Sequence, residues 1–240
     1  MEVTPELKQA IADLRAKQLA PKQIARQLGL RPSEVTAIIK AQAEQVAHDR
    51  QESGELPPIY ECLVNPNCLN LLRPDRGTAI QPASSEDFEF SSSGLAVVLV
   101  SRTPGFNRLE VCTYLVDTWC LGVKNALGPR KVSITGYNDF KNHAYGSFEQ
   151  DPVAIPLELA QAIVLGGLDY AAKLGIKPHP DFEQARRLLG TWNGEPKLNF
   201  GRDGKPFYIS GPYDNPDQIL RTLQNTVGEG QFDYIAGLGE

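Results

Sequence analysis

No segment of this sequence is long and apolar enough to cross a bilayer as a helix. The longest apolar run, Gly94 to Val100, covers about a third of what a spanning helix needs. The first residues, MEVTPELKQA, lack the basic and apolar regions of a signal peptide. The expected location is therefore cytoplasmic, with no membrane partner. Cysteine is sparse: Cys62, Cys68, Cys112 and Cys120 stand at C-x5-C and C-x7-C spacings, unlike those of the usual zinc modules. They are expected to be reduced, small, buried residues, and no metal site is expected. Histidine occurs three times in the chain, so imidazole-based chemistry has few places to reside. Neither a P-loop nor a dinucleotide fingerprint is present, and nothing calls for a cofactor. There is no internal repeat and no heptad run.

What is there fits a globular protein of more than one part. Hydrophobic residues make up 41% and charged residues 22%, and 240 residues suit a small domain beside a larger one. The net charge of −5 is unevenly spread: residues 1–50 hold eight Lys/Arg against six Asp/Glu, whereas the rest holds sixteen against twenty-three. A mildly basic head on an acidic body suits a polyanion-binding module joined to a domain that does not bind polyanions.

Local patterns divide the chain. Thr4 can cap a first helix, with Pro5 at its first position and Leu7, Ile11 and Leu14 on one face. Pro21 opens a second helix with Ile24, Ala25 and Leu28 inward, and Gly29 breaks it. Pro32 opens a third with Val35, Ile38 and Ile39 inward, running to about Arg50. Residues 51–93 read as a linker and irregular segment: QESGELPP, then IYECLVNPNCLNLL with one helical turn and a strand, then a long polar loop over 73–93. Residues 94–240 read as an α+β domain with a mainly antiparallel sheet. Its strands are expected at 95–101 and 109–119 around the turn TPGFNR, with another at KVSITGY. CLGVKNALG reads as a short helix or bend. Helices are expected from Pro156 to Leu174, from Pro180 to Gly190, and from Pro216 with Asn215 as cap. LNFGRDGKPFYIS reads as a hairpin turning at Asp203-Gly204, and QFDYIAGL as a last strand. Gly166-Gly167 inside the best helix costs about 1 kcal/mol per glycine against Ala, a cost a close backbone approach would repay.

Pro21 to Lys40 carries the most specific pattern. Ala25 is small where two helices would cross. Gly29, four residues on, suits a turn that needs positive φ. Val35 and Ile38 then seat the third helix on the other two. With the preceding amphipathic helix, this resembles the trihelical helix-turn-helix unit of the homeodomain-like and Hin-type family, found in regulators, transposases and sigma-like modules. The resemblance covers about residues 4–45. It implies double-stranded DNA as the partner, with the third helix in the major groove. The residues it assigns to DNA are Arg31, Ser33, Glu34, Thr36, Ala37 and Lys40 on that helix, and Lys22 and Arg26 on the second helix for backbone contacts. The third helix has no arginine cluster, so useful affinity calls for a homo-oligomer or a second contact.

The C-terminal domain offers weaker signals. Asp117, Cys120 and Lys124 in DTWCLGVK sit where a strand ends, a common place for chemistry. A Cys120 nucleophile would need a base, and only His143 and His179 exist in this domain. Asp117 with Lys124 also reads as an ion pair holding a bend. GRDGKP followed by SGP invites a phosphate reading, but Asp203, Asp214 and Asp217 crowd the same stretch, and a turn plus a helix cap accounts for it. YLVDTWCLGVKNA, LDYAAKLGIKPHPDF and FGRDGKPFYISGPYD resemble a pattern of uncharacterised bacterial proteins, which implies no activity. The expectation is a bacterial transcriptional regulator whose second domain senses a small-molecule or protein effector, pairs subunits or recruits a partner. The rivals are an enzyme with its site near Asp117, Cys120 and Lys124, and an adaptor whose helices dock on protein.

Overall fold

The computed structural model describes residues 3–72 and 94–235. The chain splits into two compact units. The first holds residues 1–58 together with Thr103–Leu109, and the second holds Ile59–Arg102 and Glu110–Glu240.

The first unit begins with α1 (Pro5–Ala16), α2 (Pro21–Leu28) and α3 (Pro32–Ser53). Each start has a local cause. Thr4 Oγ1 accepts the N–H of Leu7, capping α1. In α2 and α3 the residue at the third helical position reaches back instead: Gln23 Oε1 accepts the Ala20 N–H, and Glu34 Oε2 accepts the Arg31 N–H. The three helices close around Ile11, Ile24, Ala25, Val35, Ile38 and Ile39, with Leu7, Leu14, Leu19, Leu28 and Leu30 at the margin. Gly29 ends α2 in the left-handed region at φ 67°, and a Cβ there would meet nothing within 4 Å. Its requirement is thus purely conformational. Gly29→Ala is expected to cost the first unit about 1–2 kcal/mol without loss of fold, checked by thermal unfolding against the wild type.

In the second unit a five-stranded antiparallel sheet runs in the order β4-β3-β2-β1-β5. The strands are β1 (Ile59–Val64), β2 (Leu95–Gly105), β3 (Arg108–Asp117), β4 (Gly122–Ser133) and β5 (Val153–Ile155). Strand alternation sorts the side chains by face. Ala96, Val98 and Val100 join the main core with Cys62, Val64, Tyr114 and Val116. Ser101 instead bonds the hydroxyl of Tyr137 on α5 (Tyr137–Tyr145), whose Tyr145 hydroxyl donates to the carbonyls of Leu63 and Val97. The long helix α6 (Leu157–Lys173) packs against β1 and β4 and puts Ala160, Ile163 and Val164 into the main core. A short α4 (Asn67–Leu71) follows β1; α7 (Phe182–Ala185) and a 3-10 turn (Arg186–Leu189) follow α6. The chain then adds β6 (Phe207–Ile209), α8 (Pro216–Thr226) and β7 (Asp233–Ile235), with β6 and β7 paired in parallel.

Several expectations change. CLGVKNALG is not a helix or bend: a turn over 118–121 leads into β4, which pairs with β3 and buries Val123 and Ala126. KVSITGY is only the end of that strand. Ser133 Oγ accepts the Gly136 N–H, the chain turns, and Tyr137 opens a helix absent from the expectation. The hairpin at 198–210 shrinks to one bridge, Arg202 with Lys205, around Asp203 (φ 54°) and Gly204 (φ 82°). Its first arm is drawn off by Phe200, which stacks on Tyr170 at 5.5 Å, and its second arm pairs with β7. The loop expected at 73–93 and the last residues of the final strand, 236–240, lie outside the described residues.

Candidate nucleic-acid interface

The turn between α2 and α3 aims the N-terminal half of α3 outward along one stripe. Arg31, Ser33, Thr36, Ala37 and Lys40 are exposed, as are Lys22 and Arg26 on α2. Their neighbours at Val35, Ile38 and Ile39 are buried, so the stripe is the complement of the core face. Among the described residues none covers these side chains.

The exposed residues are not equally free. Glu34 is half-buried, and its Oε2 accepts the Arg31 backbone N–H, so one of its oxygens holds the helix start. Thr36 Oγ1 donates to the Pro32 carbonyl. Lys40 Nζ stands 3.8 Å from Glu44 Oε1 with both side chains more than half exposed, an i,i+4 pair that a stronger anion can outcompete. What remains is four exposed cations, Lys22, Arg26, Arg31 and Lys40, around a small surface of Ser33 and Ala37 that lets another surface come close.

No protein-family model, curated protein or solved structure matches this chain. The site therefore stands on its own geometry. Among the described residues no helix is long and apolar enough to cross a membrane.

The rival constellation at the end of β3 is built differently. Asp117 Oδ1 accepts the N–H groups of Trp119 and Cys120, at 2.9 and 3.1 Å. It pins the turn to which the later chain attaches: Gly201 and Phe207 donate their N–H groups to the carbonyls of Thr118 and Trp119. Burial lifts the Asp117 carboxyl to about 6, against the pull of those N–H groups and of Lys124. Lys124 makes its ion pair elsewhere than expected, at 2.9 Å from Asp214 Oδ2, which also accepts the Gly211 N–H. Asp214 was expected only as one of the acids crowding a turn; its partner on β4 is remote in sequence and carried no local signal. Cys120 is fully buried, and burial pushes its thiol up to about 12. His179 Nδ1 accepts the Asp181 N–H. This is a thiol held protonated, not an activated nucleophile. The other cysteines are likewise free and buried, lifted by burial to about 11 for Cys62 and about 12 for Cys68 and Cys112.

His48, Asp49 and Glu52 on the α3 tail hold potential ligand atoms within 4.8 Å of one another, and all three are exposed.

Proposed function

We propose that the first unit is a helix-turn-helix module that binds duplex DNA, and that the chain is a transcriptional regulator whose second unit senses an effector, pairs subunits or recruits a partner. The observation that carries the reading is the stripe on α3: Arg31, Ser33, Thr36, Ala37 and Lys40 are exposed while the opposite face is sealed around Val35, Ile38 and Ile39. The left-handed Gly29 and the small Ala25, buried at the contact of α2 with α3, support the same reading. In it α3 enters the major groove, and Lys22 and Arg26 rest on the flanking phosphates.

The test is binding of the full chain to a labelled mixed-sequence duplex over a range of salt. The four cations of α2 and α3 alone contribute about −3.6 to the slope of log affinity on log salt, which by itself lowers affinity by about two orders of magnitude between about 50 and 200 mM salt. Arg31→Ala and Lys40→Ala are each expected to weaken binding about tenfold. Binding that ignores salt, or a double variant that binds like the wild type, sinks the proposal. Retention of a protein partner by the same face, without DNA binding, would favour the adaptor instead.

A further inference from the structure

This inference rests on the DNA-binding reading above and adds a second contact to it. Residues three, four and seven apart share one helix face, so the outward stripe of α3 continues from Lys40 through Glu44 to Ala47. Past Lys40 the helix itself is acidic, with Glu44, Asp49 and Glu52 against Arg50 alone. That tail repels a phosphate rather than gripping one. At Ala47, however, another element meets the stripe. A Cβ built on Gly105 would stand 4.0 Å from the Ala47 Cβ, so the backbone at Gly105 lies against it.

Gly105 belongs to the tip of the β2–β3 hairpin, Thr103–Leu109, which groups with the three helices as one compact unit. The Thr103 N–H donates to the Pro58 carbonyl and fastens the tip within that unit. The tip turns sharply at Asn107, in the left-handed region at φ 53°, and exposes Phe106, Asn107 and Arg108. It contains no acid. Along the helix axis, Ala47 is about 10 Å beyond Lys40, past the N-terminal residues that meet base edges. With α3 in the groove, a tip at that position meets the phosphate backbone bounding it.

We infer that the hairpin tip is a second DNA contact, with Arg108 paired to a backbone phosphate and Asn107 hydrogen-bonding beside it. This supplies the added contact that a weakly basic recognition helix needs, within one copy of the chain.

Salt-dependent binding of the full chain to a labelled mixed-sequence duplex is measured for the wild type, Arg108→Ala, Arg108→Glu and Arg31→Ala. Arg108→Ala is expected to weaken binding three- to tenfold for every duplex sequence tried and to reduce the salt slope by about one. Arg108→Glu weakens it further, and the melting temperature stays within error for both. Wild-type affinity and slope in Arg108→Ala, alongside impaired Arg31→Ala, overturn the inference and leave the helix reading standing. A lower melting temperature with an unchanged slope makes Arg108 structural and also overturns it. If the wild type shows no salt-dependent binding, both readings fall together.

Discussion

Asp117→Asn is expected to stabilise the second unit by about 2 kcal/mol at pH 7 and to destabilise it by about 1 kcal/mol at pH 4. The change of sign follows from the environment of the carboxyl. Burial raises it from 3.8 to about 6, so the folded protein holds the proton more tightly than the unfolded chain does. Stability from this group is fully present below about pH 4 and is lost as pH rises through about 6. A rise from 3.8 to about 6 corresponds to about 3 kcal/mol. Asparagine keeps an oxygen for the N–H groups of Trp119 and Cys120, which both fall on Oδ1, and it cannot ionise. The Leu121 N–H also faces the carboxyl, and exchanging one carboxyl oxygen for an NH2 costs about 1 kcal/mol. Asp117→Ala, by contrast, strands the buried turn N–H groups and is expected to cost about 3 kcal/mol at pH 4. Thermal unfolding of the three proteins between pH 4 and 8 reads this out. If the difference between wild type and Asp117→Asn does not vary with pH, Asp117 does not titrate near 6 and its environment is misassigned. A displaced carboxyl beside a cysteine is a common mark of chemistry. Here the same displacement follows from the task of holding a buried turn.

What the sequence disclosed depended on how locally each feature is determined. The caps at Thr4 and Asn215, the stop at Gly29 and the long helix after Pro156 are set within a few residues, and each stands where the spacing predicts. The inward residues of the first three helices were legible for the same reason. The failures are non-local. β4 looked like a bend because its pattern needs the neighbour β3 to give it meaning, and α5 was hidden because it is held mainly by two tyrosines reaching β1 and β2. The partner of Lys124 lies 90 residues away and left no trace near position 124. Among the DNA-facing candidates, chain position singled out residues that are mostly exposed, but it could not show that Glu34 also closes its own helix start. The tip at Phe106–Arg108 read as a plain turn; its signal was one arginine and no acid, visible only once the fold put Gly105 against Ala47.

Gly167 of α6 poses the last question, and its answer is a close crossing; its neighbour Gly166 instead faces Phe200 and Trp192. A Cβ on Gly167 would stand 2.8 Å from Val116 Cγ1, and one on Gly122 would stand 2.6 Å from both the Gly167 carbonyl oxygen and the Ala171 Cβ. Neither obstacle at Gly122 is the free end of a flexible side chain, so the clash has to be relieved by moving α6 away from β4. Gly122 also has φ 63°, which costs an alanine about 1–2 kcal/mol by itself. Overpacking adds about 1–3 kcal/mol. Gly122→Ala is therefore expected to destabilise the second unit by about 3–5 kcal/mol in urea unfolding. Gly204→Ala is the matched control: its φ is 82°, but a Cβ there meets nothing within 4 Å, so only the conformational cost of about 1–2 kcal/mol applies. The difference between the two variants isolates the helix–strand approach. Equal losses in both would mean that α6 and β4 do not meet this closely. Gly167 would then have no approach to β4 to offset the 1 kcal/mol or so that it costs its helix.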